Sequence, residues 1–209
     1  MRSTFALDED LTPKARIRDA AMARFAADGV AATSIRAVAA DAGVSPALVI
    51  HHFGTKDCLV QAVEDAVVHR LADAHATVHS SGPQALADYL RALSEMMRRE
   101  PTVRDYIGRT VAEGGEAAAT LFHRLFSFAS NDQHLVDAGI IRGDTDPFWR
   151  AMHQVLLFVA PLAFRQLIDR ELGASSLEPE EEERALDAKL DLLQHGLYAS
   201  SNDHQPQRT

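Results

Sequence analysis

With 209 residues, 46% of them hydrophobic, and a formal net charge of −9, the chain can form one large domain or two small ones around a substantial core. Its single cysteine excludes a disulfide framework within the chain, and nothing in it resembles a secretory signal. The longest apolar run, 155–164, is too short to cross a bilayer, so a soluble, cytoplasmic protein with no membrane partner is expected. In chain order, residues 1–11 show no periodicity and read as a mobile arm. Thr12-Pro13 then caps a first helix reaching about Ala27, with Ile17, Ala20, Ala21, Arg24 and Phe25 on one face and Gly29 at its end.

Residues 33–57 carry the densest pattern. Thr33 and Ser34 are good N-cap residues, and Ile35, Val38, Ala39 and Ala42 then mark one face of a short helix. Gly43 stands where a left-handed residue ends such a helix. Ser45 caps a second helix with Pro46 at its first position, and Val49 and Phe53, four apart, give it one buried side. Gly54-Thr55 break the chain before Lys56-Asp57 open another helix. Two short helices around a glycine-containing turn form a helix-turn-helix, whose second helix can enter the major groove of DNA. The same spacing also suits an ordinary helical hairpin in an all-α core.

The segments 34–39, 42–45 and 51–57, preceded by Ile17-Arg18-Asp19-Ala20-Ala21 and Phe25-Ala26-Ala27-Asp28-Gly29, resemble the DNA-binding domain of the TetR family of bacterial transcription regulators. The resemblance covers roughly residues 10–60. It implies an all-α chain with an N-terminal three-helix helix-turn-helix head (10–58, motif about 34–53). A larger helical ligand-binding and dimerisation domain (59–199) and a disordered polar tail (200–209) would follow. On that reading Pro46, Ala47, Leu48 and Ile50 meet base edges, where apolar groups can touch thymine methyls. His51 and His52 donate to phosphate or accept from a base, Arg36 reaches phosphate or a base edge, and Lys56, with Thr33, Ser34 and Ser45, positions the phosphate backbone. The alternative for Leu48 and Ile50 is packing against a neighbouring helix. Two departures from the family pattern stand out: Ile50 where an aromatic is common, and Gly54 where a basic residue is common. Residues 1–60 are electrically neutral overall and the excess negative charge lies beyond them, so an acidic body leaves the head as the surface able to approach DNA.

A long helix from about Lys56 toward His79 carries Leu59, Val63, Ala66, Val67 and Leu71, and Ser80-Ser81-Gly82-Pro83 breaks the chain after it. Further helices are expected over about 83–99, from Pro101 to about Val111, over 116–137, from Asp146-Pro147 to about Leu172 with a kink at Pro161, and over about 178–199. The resemblance implies a homodimer through the last two, and Leu156, Phe164, Leu186, Leu190, Leu193 and Leu197 are the expected interface. It also implies a hydrophobic small-molecule effector within the body. Tyr89, Leu93, Met97, Tyr106, Phe122, Phe126, Trp149 and His153 are the candidate lining, with Arg104, Arg109, Glu113 and His123 as possible polar groups. The expected function is a ligand-responsive repressor on a palindromic duplex operator. The alternative is a DNA-binding module without an effector, controlled by a protein partner.

No phosphate-cradling glycine loop, nucleophile elbow or HExxH pattern is present, so no enzyme, catalytic residue or cofactor is expected. His75 and His79 have a metal-compatible spacing but no third ligand nearby in sequence, and a solvated face is the reading preferred for them. Cys58, beside Asp57 and without a resolving cysteine, reads as a small packing residue.

Overall fold

The computed structural model describes residues 12–78 and 83–196, and among them every regular element is a helix. The elements are α1 (Pro13–Asp28), α2 (Ile35–Asp41), α3 (Pro46–Phe53), α4 (Lys56–Ala76), α5 (Pro83–Arg99) and α6 (Pro101–Glu113). They continue with α7 (Gly115–Ser130), α8 (Gln133–Asp137), α9 (Pro147–Ala163), α10 (Arg165–Leu172) and α11 (Pro179–His195). The expected arm, the 79–82 break with His79, Leu197 and the tail lie outside the described residues.

Local chemistry explains most starts. The side chains of Thr12, Ser34, Ser45, Thr55 and Asp146 each accept a backbone N–H three residues on, at 3.0–3.2 Å. Each bond satisfies a donor that the first helical turn leaves without a partner. Proline sits in the first turn of α1, α3, α6, α9 and α11, where its missing N–H costs nothing.

Three boundaries differ from expectation. The helix expected over 116–137 divides into α7 and α8, and Asp132 at the break is buried. Its carboxylate accepts from Arg150 at 2.7 and 2.9 Å and from Gln154 at 3.1 Å, so α9 holds the chain where the helix would have continued. The helix expected over 147–172 bends by 65° between α9 and α10. The bend falls at Phe164, just past Pro161 in the last turn of α9. The last helix ends at His195 and not near Ala199, because Gly196 takes φ +85° and donates to the Leu192 carbonyl at 2.9 Å.

One buried cluster runs from Ile17, Ala21 and Phe25 of α1, through Leu59, Val63 and Val67 of α4 and Val103, Tyr106 and Ile107 of α6, to Leu121, Leu125, Val155 and Val159. Burying each large side chain contributes about 1.5–3 kcal/mol against chain entropy. Helix α6 is central, packing on α1, α7 and α9. Helix α4 touches α1, α3, α5 and α7 and so belongs to both ends of the molecule. Among the described residues no single helix is long and apolar enough to cross a membrane; only the bent pair α9–α10 combines the length and composition.

Candidate nucleic-acid interface

The turn between α2 and α3 is built by Gly43 at φ +64°. The Gly43 amide donates to the Ala40 carbonyl at 3.2 Å, and the Val44 amide to Ala39 at 2.9 Å. Arg24 of α1 grips the far end of α2, bonding Asp41 and reaching Asp28 at 3.0 Å. This guanidinium holds the Asp41 carboxyl below the ordinary range. Arg16 donates to the Ala42 carbonyl at 3.1 Å. Val49 and Phe53 anchor α3 in the core, while Lys14 stands over the Phe53 ring at 5.8 Å.

The anchored side leaves the opposite face of α3 uncovered. Pro46, Ala47, Ile50 and His51 are exposed, Ile50 at 47%, and Leu48 is half-buried. His52 is half-buried, its ring 5.4 Å from that of His51. Arg36 is exposed and has no ion pair among the described residues. Four expected backbone-positioning groups are engaged within the protein. Thr33 is buried and its hydroxyl donates to the Gly29 carbonyl at 2.8 Å, so its side chain serves the α1–α2 turn and is not available to a phosphate. Ser34 and Ser45 are exposed, but their hydroxyls cap their own helices. Lys56 reaches back to the Ala31 carbonyl at 3.3 Å.

Gly54 has a backbone reason for standing where a basic residue is common. Its φ of 76° and ψ of −69°, with the Thr55 amide donating to the Phe53 carbonyl at 2.9 Å, make a tight three-residue turn that a side chain strains. Gly54→Ala is expected to cost about 2 kcal/mol in urea denaturation although open space surrounds the position. An unchanged midpoint would contradict this account of the turn.

Of the expected effector residues, Phe122 and Phe126 line one apolar groove. Tyr106 is fully buried in the core, its ring 6.3 Å from Phe25. Met97 is buried and Leu93 is packed on the core edge. Tyr89 stacks on His75 at 4.4 Å. Phe122 and Phe126 line an open, mostly apolar groove of about 590 Å³ between α6, α7 and α9, with Val111, His123, Phe148 and Met152. Trp149, 55% exposed, and His153, also exposed, have their rings 5.9 Å apart on α9. Arg104 is paired with Asp105, and Arg109 and Glu113 meet α1.

Of the expected interface, Leu156, Phe164 and Leu193 are exposed at 42%, 57% and 42%, and Leu186 and Leu190 are half-buried. Trp149 of α9 and Leu167 and Ile168 of α10 are further exposed apolar side chains. The solvated face expected for His75 is overturned: its ring nitrogens are buried among rings from other helices. Tyr89 of α5, Phe128 of α7 at 5.1 Å and His134 of α8 at 5.7 Å enclose it, and its buried ring nitrogens have no hydrogen-bond partner of normal geometry. No sequence signal marks that enclosure, since the three rings come from three other helices.

Comparison with known proteins agrees with this architecture. The chain is 35% identical over 138 residues to the HTH-type transcriptional regulatory protein RaaS of Mycobacterium tuberculosis, covering 66% of this chain and 62% of that protein. It is 48% identical over 69 residues to an HTH-type transcriptional repressor of the same species, covering 33% of this chain and 35% of that one. The fold matches the fatty acid degradation regulator FadR of Bacillus halodurans (TM-score 0.68, 11% identity, 91% of this chain and 99% of that chain). It also matches the TetR family transcriptional regulator PfmR of Thermus thermophilus (TM-score 0.59, 19% identity, 88% and 100%). Residues 17–63, which contain the turn, both short helices and the start of α4, match the family described as bacterial regulatory proteins, tetR family.

Proposed function

We propose that the protein is a cytoplasmic transcriptional regulator that binds a palindromic duplex operator as a homodimer, represses, and is released by a hydrophobic small molecule. The observation that carries the DNA reading is the bare outer face of α3, held outward by the buried Val49 and Phe53. A short helix with Pro46 and Ala47 at its open N-terminal end fits a major groove without side chains to clear away, and Ile50 can meet a thymine methyl. The free guanidinium of Arg36 supplies phosphate contact. The exposed apolar side chains of α9, α10 and α11 support an isologous dimer, which would place two heads on two half-sites. The names of the mycobacterial relatives support regulation, and one of them repression.

The groove holding Phe122, Phe126 and Met152 suits an apolar effector with one polar group facing His123. A second reading, a DNA-binding module without an effector, draws support from the scatter of the expected lining residues. A thermal-shift screen with hydrophobic compounds separates the two. A compound that raises the midpoint and releases DNA supports the first, and a screen without hits supports the second. The head itself is tested by gel shift on duplexes selected from a random-sequence pool. Arg36→Ala should weaken binding similarly across sequences and lower the salt slope by about one. Selection of no duplex by the wild-type protein would remove the DNA reading altogether.

A further inference from the structure

We propose that Arg109 and Glu113, on the last turns of α6, are positioning residues for the DNA-reading head: they hold the carboxyl end of α1 and so set the angle at which α2 and α3 leave the body. The proposal rests on the dimeric, DNA-binding reading above.

Arg109 Nε donates to the Ala26 carbonyl at 2.7 Å. That carbonyl is among the last four of α1, which have no partner within their own helix, and a cation there also meets the negative end of the helix dipole. Arg109 Nη1 bonds Glu113 Oε1 at 2.9 Å, which orients the guanidinium. The Glu113 carboxylate in turn sits hard against Gly29: a Cβ there would stand 2.6 Å from Oε2. Gly29, at φ +85°, is thus required to be glycine by its backbone, and it leaves the space that the Glu113 carboxylate occupies. The Gly29 carbonyl takes the Thr33 hydroxyl at 2.8 Å, and Ser34, the cap of α2, follows directly. A short series of hydrogen bonds and close contacts therefore runs from α6 through the end of α1 into the α1–α2 turn.

The other side of α6 is held as closely. A Cβ on Gly108, the residue beside Arg109, would stand 2.7 Å from the Leu162 carbonyl of α9. Helix α6 therefore meets α9, whose outer face carries the proposed dimer contact, at glycine-only distance, while its Arg109 and Glu113 side chains reach the head. Arg109 and Glu113 are themselves exposed, and a surface ion pair adds little to stability. A purely structural role predicts almost no effect of removing them; a positioning role predicts a change in where the heads sit.

Cys58, the chain's one cysteine, is exposed at the start of α4 and provides a native reporter. A nitroxide attached there in the full-length protein lets double electron–electron resonance measure the separation of the two heads of a dimer without DNA. The wild type should give a narrow distance distribution. Arg109→Ala and Glu113→Ala should broaden it, with the urea midpoint unchanged and Arg109→Lys restoring part of the narrowing. The alanine variants should also lose about fivefold or more in affinity for a duplex selected by the wild-type protein from a random-sequence pool. Their salt slope should stay the same, because no phosphate contact is removed. Folded variants with wild-type distances and affinity would overturn the proposal, as would an affinity loss that merely follows a lowered midpoint. A wild type with no dipolar signal would overturn the dimer reading and the proposal with it, whereas a wild-type signal left untouched by either substitution overturns the proposal alone.

Discussion

Between pH 6.5 and pH 4 the protein is expected to lose about 2–3 kcal/mol of stability through His75 alone. Burial pushes this imidazole down from its ordinary 6.5 to about 4; the neighbouring His134 adds to the shift, and the Leu71 carbonyl offsets part of it. In that window the unfolded chain takes up a proton that the folded protein refuses, so stability falls as pH falls. Above pH 6.5 the ring is neutral in both states and contributes no slope; below pH 4 it is charged in both and the loss is complete. One pKa unit is worth about 1.4 kcal/mol, so the full shift sets the upper bound of that loss. His75→Phe keeps an aromatic ring beside Tyr89 and Phe128 while removing the titration. Urea denaturation from pH 7.5 to 4 should therefore show wild type and variant converging in the acid range, with the variant losing less. Parallel curves across the whole range would contradict the burial of a neutral imidazole between α4, α5, α7 and α8.

Arg124→Ala is expected to cost about 3 kcal/mol near pH 7, the loss typical of leaving a buried charge without its partner. Glu64 is fully buried on α4 and among the described residues has one ion-pair partner, Arg124 of α7, at 2.7 Å. The pair is close, yet the N–H is not aligned for a full hydrogen bond, and Glu64 Oε1 has no partner. Burial raises the Glu64 carboxyl, and Arg124 opposes that rise. Without the arginine the folded carboxyl titrates higher still, above its unfolded value. The folded variant then gains a proton as pH falls, so its deficit should be greatest at neutral pH and shrink toward pH 5. Adding Glu64→Leu to Arg124→Ala should recover most of the loss, because removing both charges leaves nothing uncompensated. Additive losses in that double variant, measured by urea denaturation, would show that the ion pair is not what couples α4 to α7.

Both effects depend on partners far apart in the chain, and so does the division between what was legible early and what was not. The helix starts at Thr12, Ser34, Ser45 and Thr55, the left-handed turn at Gly43 and the one-sided burial of Val49 and Phe53 all follow from residues within a few positions of one another. Capping, turn chemistry and helical periodicity act over that range, so the motif and the all-α class could be read directly from the amino acids. Gly54 lay at the limit: the break was visible, but the tight turn that requires glycine there is seen only in the backbone.

The sequence by itself determined a capped pair of short helices with one bare face, a neutral head before an acidic body, and apolar stripes on the last helices, because these are properties of neighbouring residues and of composition. Only the tertiary structure decided that Thr33 turns inward to the Gly29 carbonyl, that Trp149 and His153 are exposed, and that Asp132 divides a helix to meet Arg150. It also decided that Arg109 and Glu113 reach the end of α1 from more than eighty residues away. The reason is physical: a side chain's period along its own helix tells which face it occupies, but its partner is chosen by whichever other helix packs against that face.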